Sequence, residues 1–206
     1  MPDPAGSVHQ RFVAPRRVRT LARLLAPLLP ERGRVLDVGC GDGELARAIL
    51  QLRPGLEICG VEVLLRGACA IEVSRYDGVS IPFPGRAFDA VLLADVVHHA
   101  ADPRRLLREA ARVAPVVVMK DHLAEGVLAA ATLRFMDRVG NARHGVALPY
   151  CYWRRAEWRD EIEHAGLAVT AWEESLHLYP WPATWLFDRS LHFIARMEAG
   201  DAAAHA

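Results

Sequence analysis

The stretch VLDVGCGDG, residues 35 to 43, decides the fold of this chain. A short apolar run ends at Gly39, Gly41 and Gly43 follow at alternate positions, and ELARAILQL, residues 44 to 52, then takes up a helical period. That is strand, glycine loop and helix in succession. Glycines at such a junction let the backbone approach a ligand closely, and the helix N-terminus offers unpaired N–H groups to an anionic group. Arg53-Pro54-Gly55 stops the helix, and LEICGVEV, residues 56 to 63, is short, apolar and rich in branched residues, as a buried strand is. A β-α-β unit is complete. Glu62 stands at the end of its second strand, where an acidic side chain accepts hydrogen bonds from the hydroxyls of a ribose.

Reading outward from that unit, Ala70 to Val73 forms a candidate third strand with a turn, Tyr76-Asp77-Gly78, behind it. The connection to it, Val63 to Cys69, is short for a parallel crossover, which usually takes about a dozen residues or more. FDAVLLADV, residues 88 to 96, gives the next strand, with Asp89 at its entry. Asp102 then caps a helix that carries Pro103 in its first turn and runs to about Val113. VVVMK, residues 116 to 120, is a β-branched run suited to the middle of a parallel sheet, and Asp121-His122 follows it. The alternation predicts a doubly wound α/β sheet with ligands outside the carboxyl ends of the strands, so residues 39 to 43, 62, 77, 95, 121 and 122 share one rim. Beyond it come a helix near residues 128 to 139, a loop from 140 to 150, a helix near 154 to 165, and two strands, 167 to 172 and 191 to 197. The strands flank the aromatic segment HLYPWPATWLF, residues 177 to 187. Before the first strand, residues 8 to 29 read as one or two helices broken at Pro15 and Pro27, with Arg11, Arg16, Arg17, Arg19 and Arg23 on a solvated face.

With 206 residues the chain is expected to form one domain over 1 to 206. It divides into an N-terminal helical region (1 to 30), a cofactor-binding core (31 to 122), an acceptor-side insertion and lid (123 to 190), a last strand (191 to 198) and a frayed tail (199 to 206). Lys plus Arg and Asp plus Glu both number 25, so no net field draws it to nucleic acid or an anionic membrane. Apolar runs stop short of the roughly 18 residues a membrane helix needs, and MPDPAGSVHQ lacks the pattern of a secretory signal. Cys40, Cys59, Cys69 and Cys151 show neither metal-site spacing nor disulfide density, which fits a reducing cytoplasm and no metal.

The loop is G-x-G-x-G with Asp37 before it and Asp42 inside it, a charge pattern that repels a dianionic pyrophosphate and suits a cationic ligand. S-adenosylmethionine is such a ligand. The first motif, Glu62, Asp77-Gly78, and IPFPGRAFDAVLLADVVHHAADPRRLLREAARV at residues 81 to 113 together resemble the class I S-adenosylmethionine-dependent methyltransferases. Within these, the similarity is to the broad small-molecule group called type 11. It covers roughly residues 17 to 121. The resemblance implies a Rossmann-like seven-stranded sheet, mostly parallel with an antiparallel last strand. It implies that Asp37, Gly39 and Gly41, with Cys40 between the glycines, line the methionine part, that Glu62 holds the ribose, and that Asp77 with Gly78 faces the adenine amino group. Asp95 falls near the expected methyl group.

A sulfonium is already a good leaving group, so alignment in a dry pocket supplies most of the rate, and a base matters where the acceptor must lose a proton. His122, beside an Asp121 expected to orient it, is the candidate base, and Asp121-His122 is the candidate catalytic pair. Candidate acceptor contacts are His98, Arg143, His144 and Tyr150, within an aromatic lid that also includes Tyr152, Trp153, Tyr179, Trp181 and Trp185. One of His98 and His99 is expected to point into the core, and His164, His177 and His192 read as structural or surface residues. The function expected is methyl transfer from S-adenosylmethionine to a small molecule, without nucleic acid or membrane partners. A catalytically silent adenosyl-binding subunit is the alternative, and an NAD-dependent oxidoreductase a weaker one.

Overall fold

The computed structural model describes residues 14–126, 128–134, 151–179, 181 and 191–200. In chain order the elements are α1 (Ala14–Leu25), β1 (Gly33–Val38), α2 (Glu44–Leu52), β2 (Leu56–Glu62), β3 (Val73–Arg75), β4 (Ala90–Ala94), α3 (Pro103–Val113), β5 (Val116–His122), α4 (Arg155–His164), β6 (Leu167–Glu173) and β7 (His192–Ala199). The strands form one seven-stranded sheet in the order β3-β2-β1-β4-β5-β7-β6. β1 to β5 run parallel, and β7 lies antiparallel between β5 and β6. This is the expected Rossmann-like sheet.

Strand alternation sorts the core into two layers. Leu36 and Val38 of β1, Val91 and Leu93 of β4, and Val117 and Met119 of β5 pack with Leu107 of α3 and Trp158 of α4. Their neighbours Val35, Ala90, Leu92 and Val118 face the other way and pack with Leu25 of α1 and Ile49 of α2. Each such buried aliphatic side chain contributes about 1.5–3 kcal/mol, so the central strands are held from both faces. The same alternation carries past the apolar run of β5. It sends Lys120 and His122 to the α1 face and Asp121 to the α3 face.

The sequence reading needs adjustment at four places. α1 is continuous from Ala14 to Leu25 because Pro15 occupies its first turn, where a missing N–H costs nothing, and Pro27 lies in a separate short 3-10 turn, Ala26–Leu28. The third strand starts at Val73 rather than Ala70. Residues 70 to 72 first cross the glycine loop, where Ala70 N donates to Asp42 O at 2.8 Å and Gly60 N donates to Glu72 O at 2.8 Å. The connection from β2 to β3, residues 63 to 72, contains no helix. β5 continues through Asp121 and His122 because β7 supplies partners that far, ending at the pair His122 and His192.

Candidate functional site

Two structures meet at the carboxyl ends of the central strands, an acidic glycine cradle after β1 and β2 and a buried polar network after β4 and β5. In the cradle, Gly39 has φ +70, and a Cβ there would collide with Val96, which follows β4. The loop after β1 is thus pressed against the loop after β4, which joins cradle and network. Cys40 turns away from the cradle and seats its Sγ against Gly60 of β2. Burial pushes its thiol up from its ordinary value.

Glu62 reaches across the loop. Its Oε2 accepts from Gly41 N at 2.8 Å, and its Oε1 accepts from Val63 N at 2.8 Å and Leu64 N at 3.3 Å. A carboxylate offers about four lone-pair positions, so Oε2 retains one for a hydroxyl. Arg66 pairs with Asp42 at 3.7 Å, and Asp42 also receives Glu44 N at 3.3 Å, so Asp42 serves the helix start. The acidity of the cradle comes from Asp37 and Glu62. Asp37 is 2% exposed, and burial, then the nearby Glu62 charge, push its carboxyl up to about 8. Among the described residues no hydrogen bond offsets those two causes. Asp77 sits just beyond β3 and is exposed; its Oδ1 accepts from Val79 N and Ser80 N, both at 2.8 Å, which lowers its pKa and fixes the turn at Gly78.

The network begins at Asp95, which takes a left-handed φ of 58 directly after β4. Its Oδ1 accepts from Lys120 and its Oδ2 from Arg17 of α1. Burial would raise this carboxyl, but Arg17 and then Lys120 overcome it and hold it well below the usual carboxylate range. Lys120 is fully buried and also lies 3.2 Å from His192 Nδ1. His122 Nδ1 is 3.1 Å from the same His192 nitrogen, and His122 Nε2 is 3.5 Å from Asp95 Oδ1. Burial, then the Lys120 charge, hold the His122 ring well below the ordinary histidine range, so it is neutral at pH 7.

Asp121 does not hold the ring of His122. Its Oδ1 lies 2.6 Å from His98 Nδ1 and accepts His122 N at 2.7 Å, while Oδ2 accepts Val97 N at 3.1 Å. Adjacent residues of a strand point to opposite faces, so once β5 runs through His122 the two side chains part. His98 is the buried member of its pair, as expected. Arg17, expected on a solvated face, enters the network instead, and so does His192, which the sequence reading took as structural or surface. The one signal available for His192 was its register opposite His122, which requires the β5–β7 pairing to be known.

Residues 8–171 match the model of a family described as a methyltransferase domain. The chain belongs to this methyltransferase family. Membership places the chain in the class I S-adenosylmethionine-dependent methyltransferase superfamily. The chain is 32% identical over 102 residues to the demethylmenaquinone methyltransferase of Thermotoga maritima, covering 46% of this chain and 44% of that protein. It is 33% identical over 86 residues to the Mus musculus protein named "Probable tRNA methyltransferase 9B", covering 40% of this chain and 19% of that one. The chain therefore spans less than half the length of either curated relative. Among solved structures, it resembles a chain of the complex between the Haloferax volcanii Trm112 methyltransferase activator and a methyltransferase, with a TM-score of 0.69, 18% identity, and coverage of 97% of this chain and 99% of that one.

The cradle fits the cofactor this family implies. A tight glycine turn that leaves no room for side chains, a backbone-anchored carboxylate at the end of β2, and a buried carboxyl without a counter-charge among the described residues together suit a nucleoside carrying positive charge. Beside the network, Tyr152 lies 5.8 Å from the His98 ring and 6.1 Å from the His122 ring, and it borders a cleft of about 700 Å³ with Gly126, Arg154 and Glu157. Trp153 packs edge-on against Trp158 at 4.7 Å and joins the core, and Tyr179 packs against the other core layer. Those two aromatics close the core. Trp181 is 86% exposed. Arg143, His144, Tyr150 and Trp185 lie outside the described residues. Among the described residues no helix is long and apolar enough to cross a membrane, and no group of three or more His, Cys, Asp or Glu is placed to hold a metal ion.

Proposed function

We propose that this methyltransferase transfers the methyl group of S-adenosylmethionine to a small-molecule acceptor bound beyond the carboxyl ends of β4 and β5. The observation that carries the reading is the contact of the acidic cradle with the Asp95 network through Gly39 and Val96. The cofactor supplies an activated methyl on a sulfonium. Glu62 holds the ribose hydroxyls, Asp37 and the glycine backbone take the methionine part, and Asp77 with Gly78 borders the adenine. Asp95 closes the far side of the cradle. Where the acceptor must lose a proton, His122 takes it, while Asp121 holds His98 and the backbone at Val97 and His122 in place. Arg17, the basic residue of α1 that faces this site, is already neutralised by Asp95, and the chain carries no net charge, which favours a small acceptor over a polyanion. The similarity to a demethylmenaquinone methyltransferase supports the same choice.

Calorimetric titration with S-adenosylmethionine tests the reading. Saturable binding is expected, weakened by about 1–3 kcal/mol in Glu62→Ala, which removes a partly buried acceptor of hydroxyl hydrogen bonds. No binding, or binding unchanged in Glu62→Ala, overturns it. Tight NADH binding in the same titration moves the protein to an oxidoreductase.

A further inference from the structure

Helix α1, APRRVRTLARLL, carries four arginines and no acidic residue. Arg17 is bound to Asp95. Arg16, Arg19 and Arg23 stand three and four residues apart, which sets them in one row along the helix, and all three are exposed. Among the described residues none of these three has an acidic partner. Local electrostatics work against such a row, since like charges at that spacing repel and Arg16 lies in the first turn, where the helix dipole disfavours a cation. The opposite face of α1 is fixed in the core by Leu21, Ala22 and Leu25, so the row points outward. Leu176, Leu178 and Tyr179 pack into the same core layer as α1, and Trp181, two residues further on, is 86% exposed, although tryptophan is a largely buried residue on average.

We propose that the outer face of α1 docks on an anionic phospholipid surface, with Arg16, Arg19 and Arg23 against headgroup phosphates and Trp181 at the boundary between water and lipid. This goes beyond the methyltransferase reading above and does not depend on it. A guanidinium offers phosphate a fork of N–H donors, and indole favours the interfacial region of a bilayer. Basic charge and an exposed aromatic are each weak signals alone, and together they hold a protein on a membrane reversibly. The arrangement selects lipid over nucleic acid. The cradle is acidic at Asp37 and Glu62, and Arg17 is neutralised by Asp95, so the positive surface stops outside the site. A polynucleotide acceptor has to bring its phosphates across that rim together with the reacting base, whereas a membrane meets the outer face alone. The net charge of the chain is zero, so the attraction is confined to this face and acts within about 10 Å at 0.1 M salt. Arg16 adjoins Arg17, which sets the docked face beside the Asp95 network.

Flotation of the full chain with lipid vesicles tests the docking. The wild-type protein is expected to float with vesicles of phosphatidylcholine mixed with phosphatidylglycerol, to stay behind with phosphatidylcholine alone, and to be released as salt is raised. Each arginine at an anionic leaflet strengthens binding about fivefold, so the combined change Arg16→Gln, Arg19→Gln and Arg23→Gln is expected to weaken it about a hundredfold. A control with Arg32→Gln, Arg75→Gln and Arg108→Gln removes the same charge from exposed positions elsewhere and is expected to float as the wild type does. Trp181→Ala is expected to weaken binding severalfold without changing its salt dependence. Wild-type protein that ignores the anionic vesicles, or an equal loss in the α1 variant and the control, overturns the proposal. Tight binding of polyuridylate, lost in the α1 variant and without flotation, makes the face a nucleic-acid surface and overturns it too. Calorimetric titration of the same samples with S-adenosylmethionine shows that the α1 variant is folded, and it keeps the two readings apart: flotation without cofactor binding defeats the methyltransferase reading, and cofactor binding without flotation defeats this proposal alone.

Discussion

Asp37 is a carboxyl that the fold places where water cannot reach it, next to a second carboxylate, and its removal should make the protein more stable. Its native pKa of about 8 stands against an ordinary value of 3.8. Below the ordinary value both folded and unfolded chains hold the proton, and the side chain exerts no pH-dependent effect. As pH rises above that value the unfolded chain releases the proton and the folded chain does not, so the stability contributed by the neutral group is lost progressively until pH passes about 8. At about 1.4 kcal/mol per unit, the loss between pH 5 and pH 8 is on the order of 4 kcal/mol. Asp37→Asn keeps the shape and removes the titration. Urea unfolding of both proteins at pH 5 and pH 8 should show the stability difference moving by that amount in favour of the variant as pH rises, with cofactor binding weakened in the same variant. A cation bound beside Asp37 favours its ionised form, so S-adenosylmethionine binding at pH 7 should release up to about 0.9 proton, read by calorimetry in buffers of different ionisation enthalpy. An Asp37→Asn protein with the wild-type dependence of stability on pH, or binding without proton release, refutes the reasoning.

Two further outcomes follow from packing. Trp158 is fully buried between Trp153 and Phe193, and its Nε1 donates to His122 O at 2.9 Å, so Trp158→Ala should cost about 3–5 kcal/mol in urea unfolding; a loss below 1 kcal/mol would show that the α4 face does not bear on β5. Gly39→Ala forces a side chain into a left-handed turn against Val96 and should destabilise by about 1–3 kcal/mol while weakening cofactor binding, measured by thermal unfolding and calorimetry; retained affinity would mean that the loop after β1 does not carry the ligand.

The core strands were legible because their chemistry is local. β1, α2 and β2 lie within one or two residues of their expected ends, since a glycine loop and a Pro-Gly stop leave little choice between strand and helix. Asp102 caps α3 through Arg105 N at 3.0 Å, as its position suggested, while Asp89 at the entry to β4 accepts from Arg34 N of the neighbouring β1 at 2.7 Å. The β2–β3 connection was harder. A strand of three residues carries almost no periodicity, and residues 70 to 72 bend across the glycine loop before β3 begins, so the apolar run alone marked the wrong start.

The site divides along the same line between local and distant information. The cradle residues Asp37, Gly39, Gly41 and Glu62 come from one continuous β-α-β unit, and the sequence places them together. The network draws Arg17 from α1, Asp95 from the end of β4, Lys120 and His122 from β5, and His192 from β7, five positions that only the finished sheet brings into contact. Lys120 and Asp121 look alike in sequence, each a charged residue at the end of an apolar run, yet alternation gives them opposite faces and different partners. Had β5 stopped at Lys120, Asp121 and His122 would belong to a loop and the pairing of one with the other would be the natural guess. The antiparallel β7 carries β5 two residues further and thereby assigns Asp121 to His98 and His122 to His192. Buried charges must be matched, and here Arg17 and Lys120 both pair with Asp95 while Asp121 pairs with His98. Burial and the Lys120 charge keep the His122 ring neutral at rest, which leaves it a lone pair with which to accept a proton.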